Sequence, residues 1–493
     1  MPNQPSLKLL VIIFLAIVSI SSCEKDTLLT DPNAKLNFSE DTILFDTVFT
    51  SIGSVTKNFR VYNPYDKVLK ISSIRLAGGS SSLFRVNVNG LPGTSFSDIE
   101  IRSGDSIWVF VEVTVNPNNQ NLPFVVQDSL VFETNGNKQD IDLVAWGQNA
   151  HFFVAKKQSE NLPPYVVIDT NLNSSTIWDQ SLPYIIYGGF AVVDSSTTLT
   201  ITEGTQIHFS NSGGLWVYKG GTLKVQGTKD NPVVFQGLRK EQSLQEEPGQ
   251  WDRIWVNDGG SNEIDYAIIK NGFIGLQMET LFDPTMPVSM KLTNTHIRNM
   301  SGLGMLARNF KVEGWNNVVS NCGLYNAAFT IGGDYEFTHC TFGNFWRYGQ
   351  RSTPVMYLNN YAVNQSGQDV PVDMVKAEFK NCIIYGNNDN ELELDFKSGA
   401  LNNHNFRNCI IKADQTTATS DPTHFDIIYR NNNPQFKDSY DNDLSLDTLA
   451  FAREKGNLLY INGAATPPMN IDIKGVTRPM GGTEPDLGAF ERD

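Results

Sequence analysis

Six copies of one short pattern, spread between Ile264 and Ile411, limit what this chain can fold into. They read Ala267-x-Ile269-x-Asn271, Thr295-x-Ile297-x-Asn299, Asn317-x-Val319-x-Asn321 and Cys340-x-Phe342-x-Asn344, then Cys382-x-Ile384 and Cys409-x-Ile411. Each is a small or polar residue, a large apolar one two positions on, and in four copies an Asn. Two-residue spacing puts the first pair on one face of a strand, and Asn tolerates the left-handed backbone of a sharp turn. The Asn positions 271, 299, 321 and 344 are 28, 22 and 23 residues apart, the length of one solenoid coil. The pattern predicts a right-handed parallel β-helix.

A chain of 493 residues is too long for one ordinary core, so more than one unit is expected. Its 39 Gly and 22 Pro suit a turn-rich all-β fold. With 38 basic against 53 acidic side chains the net charge is −15, which argues against a nucleic-acid partner. An acidic glycan would need a local basic groove against that field.

Residues 1–22 read as a signal peptide to be excluded from the fold: Lys8 is followed by the apolar run Leu9 to Ile20, too short to span a bilayer comfortably. The run ends in Ile20-Ser21-Ser22-Cys23, which resembles the lipobox of bacterial lipoproteins. The resemblance implies that Cys23 is lipidated, and Glu24-Lys25-Asp26 resembles the acidic export signals of some surface lipoproteins. A lipid-anchored protein at the outer membrane and cell surface is therefore expected, with residues 23–35 as a tether. Of the other cysteines, Cys340, Cys382 and Cys409 share one repeat slot and Cys322 is out of register with them. Stacked coils lie about 4.8 Å apart, longer than the roughly 3.8 Å Cβ separation of a disulfide, so buried free thiols are expected. No paired CxxC clusters suggest zinc.

Between residues 36 and 149, seven short segments alternate apolar with polar: Thr42–Phe49, Asn58–Tyr62, Leu69–Ile71, Phe84–Val86, Ser106–Val113, Leu130–Phe132 and Asp140–Val144. This is the pattern of a β-sandwich. The strings Phe45-Asp46-Thr47-Val48-Phe49, Phe59-x-Val61-Tyr62-Asn63, Asp105-Ser106-Ile107-Trp108-Val109-Phe110 and Ala145-Trp146-Gly147-Gln148 resemble Ig-like domains of the abnormal-spindle/hydin type. That resemblance implies a spacer or interaction module. Residues 150–182, with Pro163-Pro164, read as a connector, and residues 183–493 as the β-helix. The Gly-punctuated strands of Leu199 to Phe209, Leu215 to Tyr218 and Gly220 to Thr228 resemble the opening coils of pectate-lyase-like proteins. The tail, through Asp472-Ile473-Lys474-Gly475 and Pro485-Asp486-Leu487-Gly488-Ala489-Phe490-Glu491, resembles the last coil of β-helix proteins with a choice-of-anchor segment. It departs from that pattern in carrying Leu449-Ala450-Phe451-Ala452 where a Ser-Pro-Ala run is usual.

Two stretches carry possible chemistry. Asp389, Glu391, Glu393 and Asp395 alternate with Asn390, Leu392 and Leu394, which would put four carboxylates on one strand face. Such a cluster can bind Ca²⁺ or work as an acid and base pair in glycoside hydrolysis; a solvated strand face looks the same in sequence. The loop holding Trp346, Arg347, Tyr348 and Arg351 offers aromatic faces for sugar rings and guanidinium forks for carboxylates. Equally, Trp346 could seal an edge of the core. His296, His339 and His404 fall near equivalent positions of separate coils and read better as ladder positions at turns or on the surface than as catalytic bases. No phosphate loop, nucleophile elbow or HExxH motif is present. The expectation is a binding or structural module for a glycan or another surface component, needing no cofactor. A polysaccharide lyase or glycoside hydrolase, with Ca²⁺ as a possible requirement, is the alternative.

Overall fold

A computed structural model describes residues 27–117, 124–171, 173–241, 244–280, 289–479 and 483–492. The expected signal peptide and Cys23 lie outside the described residues. The chain is all-β and divides into two compact units between Asn149 and Ala150.

In the first unit, two five-stranded sheets face each other. One runs in the order 37–38, 57–62, 106–113, 84–88, 91–93 and the other 42–49, 137–148, 124–134, 69–76, 95–101. All seven expected strands are present, and Ser95–Ile101, Asn37–Phe38 and Leu91–Gly93 add to them. Alternation fills the interior: Val109, Val111 and Val113 point inward, while Trp108 and Phe110 between them are exposed. The expected tether is not free over residues 27–35. Leu29 N–H donates to Val68 O at 2.8 Å, and Ala34 is buried. The reason is a hairpin turn at Asn135-Gly136, both with positive φ. It aims the Asn135 and Asn137 amides at the carbonyls of Leu29, Asp31, Pro32 and Ala34.

The second unit is a right-handed parallel β-helix whose coils each contribute three strands. One full coil is Phe190–Val193, Thr198–Thr202 and Gln206–Phe209; the next is Gly214–Tyr218, Thr222–Gln226 and Val233–Gly237. The first strand of each coil joins a separate nine-stranded sheet, and the other two join a continuous nineteen-stranded one. Winding starts earlier than expected. His151–Val154, Tyr165–Val167 and Ser175–Trp178 pair in parallel with the next coil, so residues 150–182 are the opening coil rather than a connector. Their strands are short and flanked by Pro and Asn, which hides their periodicity.

Equivalent side chains of successive coils stack into ladders. Ile207, Phe235, Ile269, Ile297, Val319, Phe342, Ile384 and Ile411 form one inward row. Phe337, Phe379, Phe406 and Phe425 form another, with centroids 5.7, 4.9 and 5.4 Å apart and planes within 9°. The four described repeat-region cysteines are free and buried, and Cys340 N–H reaches Cys382 Sγ at 3.4 Å. Burial drives the Cys322 thiol up to about 12.

Turn geometry explains the repeat's polar residues. Asn271, Asn299 and Asn321 adopt positive φ as expected, whereas Asn344, where the chain departs into an excursion, does not. A second left-handed row lies just before the small-residue slot: Tyr266, Asn294, Asn316, His339, Asn381 and Asn408. His339 is thus a ladder position at a turn, though wholly buried rather than on the surface. His296 and His404 are not its equivalents. His296 lies on the third strand of its coil, in register with Val318 of the next, and His404 ends an inward row next to Ala377.

The tail forms no further coil. The last wound strand is Phe425–Arg430, after which residues 434–479 and 483–492 return over the outside of the third strands of the later coils. Val318, Ile383 and Ile410, outward on those strands, are buried against Leu444, Leu446, Ala450, Leu487 and Ala489. The turn asparagines hold this strap: Asn316 donates to Ile471 O (2.7 Å), Asn321 to Ser439 O (3.0 Å) and Asn381 to Asn457 O (3.0 Å). Arg478, fully buried, meets Glu491 at 3.3 Å and Asn316 Oδ1 at 3.2 Å.

Candidate functional site

The strap's apolar contacts are with the nineteen-stranded sheet; the nine-stranded sheet has an outward side of its own, on which Val192, Trp216, Gln277 and Ala328 are buried while Trp255, Tyr357 and Glu393 reach solvent. Strand alternation there sends one row inward (Ala191, Leu215, Ile254, Leu276, Met305, Ala327, Met356, Leu392) and its neighbours outward. The outward row runs Val192, Trp216, Trp255, Gln277, Leu306, Ala328, Tyr357, Glu393, one residue per coil.

At the first coils this face is aromatic. Trp216 and Trp255 stack with centroids 4.8 Å apart and planes at 12°, with Phe190, Tyr218 and Tyr165 around them. In the middle, Glu279 is almost fully buried yet fully partnered. Its carboxylate accepts from Trp255 Nε1 (2.7 Å), Asn257 Nδ2 (3.1 Å), Gln277 Nε2 (3.1 Å) and Arg308 (3.1 Å), and Arg253 donates in turn to Gln277. A buried carboxylate needs such a set of donors to remain tolerable.

At the last coils the face becomes phenolic and acidic. Tyr325 and Tyr357 lie 5.6 Å apart. Asp395 Oδ2 accepts from Tyr361 OH at 2.5 Å and Tyr357 OH at 3.1 Å. Two residues earlier on the same strand, Glu393 is exposed. Partial desolvation, then the neighbouring Asp395 charge, holds its carboxyl above the usual range. Desolvation also raises the phenols of Tyr325 and Tyr357, and for Tyr361 the bond to Asp395 comes first. Lys397 sits 4.9 Å over the Tyr361 ring and pairs with Asp369 at 3.1 Å, on the hairpin of Tyr361–Val363 and Asp369–Pro371 beside the site. Glu393 and Asp395 thus share one strand face, the first in solvent and the second accepting from two phenols.

The four carboxylates expected on one strand face are therefore divided. Glu393 and Asp395 point outward together. Asp389 lies exposed in the preceding turn. Glu391 is fully buried and turned away, accepting both guanidinium nitrogens of Arg351 (2.6 and 2.8 Å) and the backbone N–H groups of Val355 and Asn388. Burial raises its carboxyl while Arg351 pulls it back. The expected glycan-binding loop is corrected by the same pair, because Arg351 is spent on Glu391 and is itself buried. Trp346 is half-buried against Gly323, Tyr348 donates to Glu246 O at 2.9 Å, and exposed Arg347 meets Asp441 at 3.1 Å. These residues bind neighbouring loops and do not face the nine-stranded sheet's acids as a group.

Sequence reasoning missed Trp216, Trp255, Glu279, Tyr325, Tyr357 and Tyr361. A signal existed for the tryptophans: Leu215-Trp216-Val217 and Ile254-Trp255-Val256 both place Trp between inward apolar residues. Among the described residues no group of three or more His, Cys, Asp and Glu is placed to hold a metal ion.

Residues 170–261 match the family model described as a pectate-lyase like beta helix domain, which covers the opening coils and both tryptophans. No curated protein matches the chain. Among solved structures, the catalytic unit of a thermostable GH87 alpha-1,3-glucanase from Streptomyces thermodiastaticus strain HF3-3 is 12% identical, with 75% of this chain and 87% of that one covered at a TM-score of 0.20. A family 123 glycoside hydrolase from Clostridium perfringens is 9% identical, with 30% of this chain and 31% of that one covered at 0.18. A protein of unknown function from Porphyromonas gingivalis W83 is 13% identical, with 29% and 59% covered at 0.18. The chain thus spans less than two thirds of the latter two, and likenesses this distant say nothing about activity.

Proposed function

We propose that this protein binds an extended glycan along the outward face of the nine-stranded sheet, from Trp216 and Trp255 to Tyr325, Tyr357, Glu393 and Asp395. The observation that carries the reading is the outward row itself. It places one side chain per coil at about 4.8 Å steps, close to the length of one sugar unit, with Trp216 and Trp255 towards one end, Tyr357 and Glu393 at the other, and Gln277, Leu306 and Ala328 between. Covalent lipid on Cys23 would hold the protein at the outer membrane on the cell surface, the glycan or a surface component being its partner. No cofactor is required for binding of this kind.

A second reading, cleavage of the bound glycan, is favoured by one feature: Glu393, inclined to keep its proton, beside Asp395 with its two phenols. Ca²⁺ could serve such a reaction only if the glycan brought further oxygen ligands, since the protein offers no described cluster of three.

The test uses the chain lacking residues 1–23, passed over immobilised neutral and acidic polysaccharides and incubated with each, with and without Ca²⁺. Retention weakened by Tyr325→Ala, without product, supports binding. New reducing ends or unsaturated sugars that vanish in Glu393→Gln and Asp395→Asn support cleavage. Retention of no glycan, or retention indifferent to this face, overturns both.

A further inference from the structure

The sandwich unit has an outward sheet face of its own that the β-helix reading does not use. On Ser106–Val113, Trp108 and Phe110 point away from the core and are 41% and 37% exposed. Their rings lie 6.3 Å apart with planes at 29°, so they form one adjacent aromatic pair on this face. Burying such rings is favourable, and two adjacent ones left in solvent are a cost that a sandwich with a complete interior does not need.

Polar groups rim the pair in register. Arg60 stands opposite Trp108 and its guanidinium lies 4.2 Å over that ring. Asn58 and Asn87 flank Phe110 on either side, and Arg85 is opposite Glu112, at 3.5 Å. Beside the rings a cavity of 610 Å³ is lined by Arg85, Asn87, Pro92, Phe110 and Glu112. Into this region falls one unfilled acceptor: Asn87 Oδ1 is buried and receives no hydrogen bond among the described residues. A buried acceptor without a donor costs about 1–3 kcal/mol, so the Asn87 amide gains by turning its oxygen towards a hydroxyl donor in the cavity.

We infer that the outward face of the sandwich, centred on Trp108, Phe110 and Asn87, is a second carbohydrate site that stacks one or two sugar rings. A sugar ring presents an apolar C–H face to an aromatic platform and hydroxyl groups around its edge. Two rings inside a polar rim, with a cavity in the range of small-ligand pockets, suit that shape. A stable protein interface would bury about 800 Å² of each surface, far more than two adjacent rings supply. Nucleic acid is disfavoured because Glu112 answers Arg85, leaving Arg60 as the face's one uncompensated cation among the described residues, on a chain of net charge −15. This site stands whether or not the β-helix face binds glycan.

The experiment is affinity electrophoresis of the chain lacking residues 1–23, which keeps both units whole, in gels containing neutral or uronate-rich polysaccharides. Since both rings are exposed, Trp108→Ala/Phe110→Ala should unfold at the temperature of the unmodified chain while its affinity for at least one polysaccharide falls about tenfold or more. Asn87→Leu, which keeps the volume and removes the acceptor, should weaken the same polysaccharide severalfold. Tyr325→Ala, on the β-helix, should leave that sandwich-dependent part of the retardation in place. Retardation unchanged in the double variant overturns the inference, as does a chain that no polysaccharide retards. So does a double variant altered only in its oligomeric state by sedimentation, which would make this face an interface between copies.

Discussion

Two faces of the same β-helix, wound on the same core, end differently. On the third strand of the later coils, the outward residues Val318, Ile383 and Ile410 are apolar, Thr341 between them accepts from Ala489 N–H, and the turn asparagines beside them spend their amides on the carbonyls of Ser439, Asn457 and Ile471. On the first strand, the outward residues include Val192, Leu306 and Ala328 but also Trp, Tyr, Gln, Glu and Asp side chains, which bond among themselves and leave Glu393 in solvent. A parallel coil satisfies its own backbone but not its exterior. A side that is apolar between hydrogen-bonding turns is finished by more of the same chain; a side of stacked rings and acids is finished by something else.

The contrast can be broken most severely by removing residues 434–493. Val318, Ile383 and Ile410 would then face water together with unpaired turn amides, and we expect loss of the cooperative thermal transition with strong binding of a hydrophobic dye. A truncated chain that melts like the intact one would mean that the strap is an ornament. Arg478→Ala is milder. It leaves Glu491 buried without its ion pair, a change worth about 3–5 kcal/mol, read as a large drop in denaturation midpoint.

His339→Asn probes the covered face through pH. Burial, then the Arg478 charge, holds this imidazole well below its ordinary 6.5, so the folded chain resists a proton that the unfolded chain accepts. Stability from this group is complete above about pH 6.5 and is lost as pH falls below it, by up to about 1.4 kcal/mol per pH unit. Asn occupies the equivalent turn at residues 316, 381 and 408, so the substitution should keep the backbone and flatten the acid limb of the stability curve measured between pH 7 and 4. An unchanged slope would mean that His339 is not among the groups that make the fold acid-sensitive.

On the open face, the smallest effects on stability should accompany the largest on ligand. Glu393→Gln removes a carboxylate whose ionisation the fold opposes. The variant should equal the parent at low pH and gain slightly above the raised pKa, by no more than a few tenths of a kcal/mol because the group is exposed to solvent. Retention on glycan should nevertheless weaken. If Glu393→Gln destabilised the chain as Arg478→Ala does, the acid would belong to the fold's own packing and the contrast between the faces would fail.

Much of this was legible beforehand. The repeat between Ile264 and Ile411 marks inward rows, the stacked thiols of Cys340, Cys382 and Cys409, and the left-handed turns at Asn271, Asn299 and Asn321, because period-2 alternation and positive φ are local properties. The acidic run from 389 to 395 was legible only as composition. Which of its members face solvent depends on Arg351, forty residues earlier in sequence, folding back beneath Glu391.

By itself, then, the sequence determined the winding: where the chain turns, which side chains enter the core, and that coil must stack on coil. Only the tertiary structure decided which outer side is closed by the tail, which acids stand together, and which aromatic rings remain open. The division follows from the physics. A strand's in-and-out alternation is set by its own residues, whereas what lies against its outer side comes from segments distant in the chain, and nothing in the local pattern records their approach.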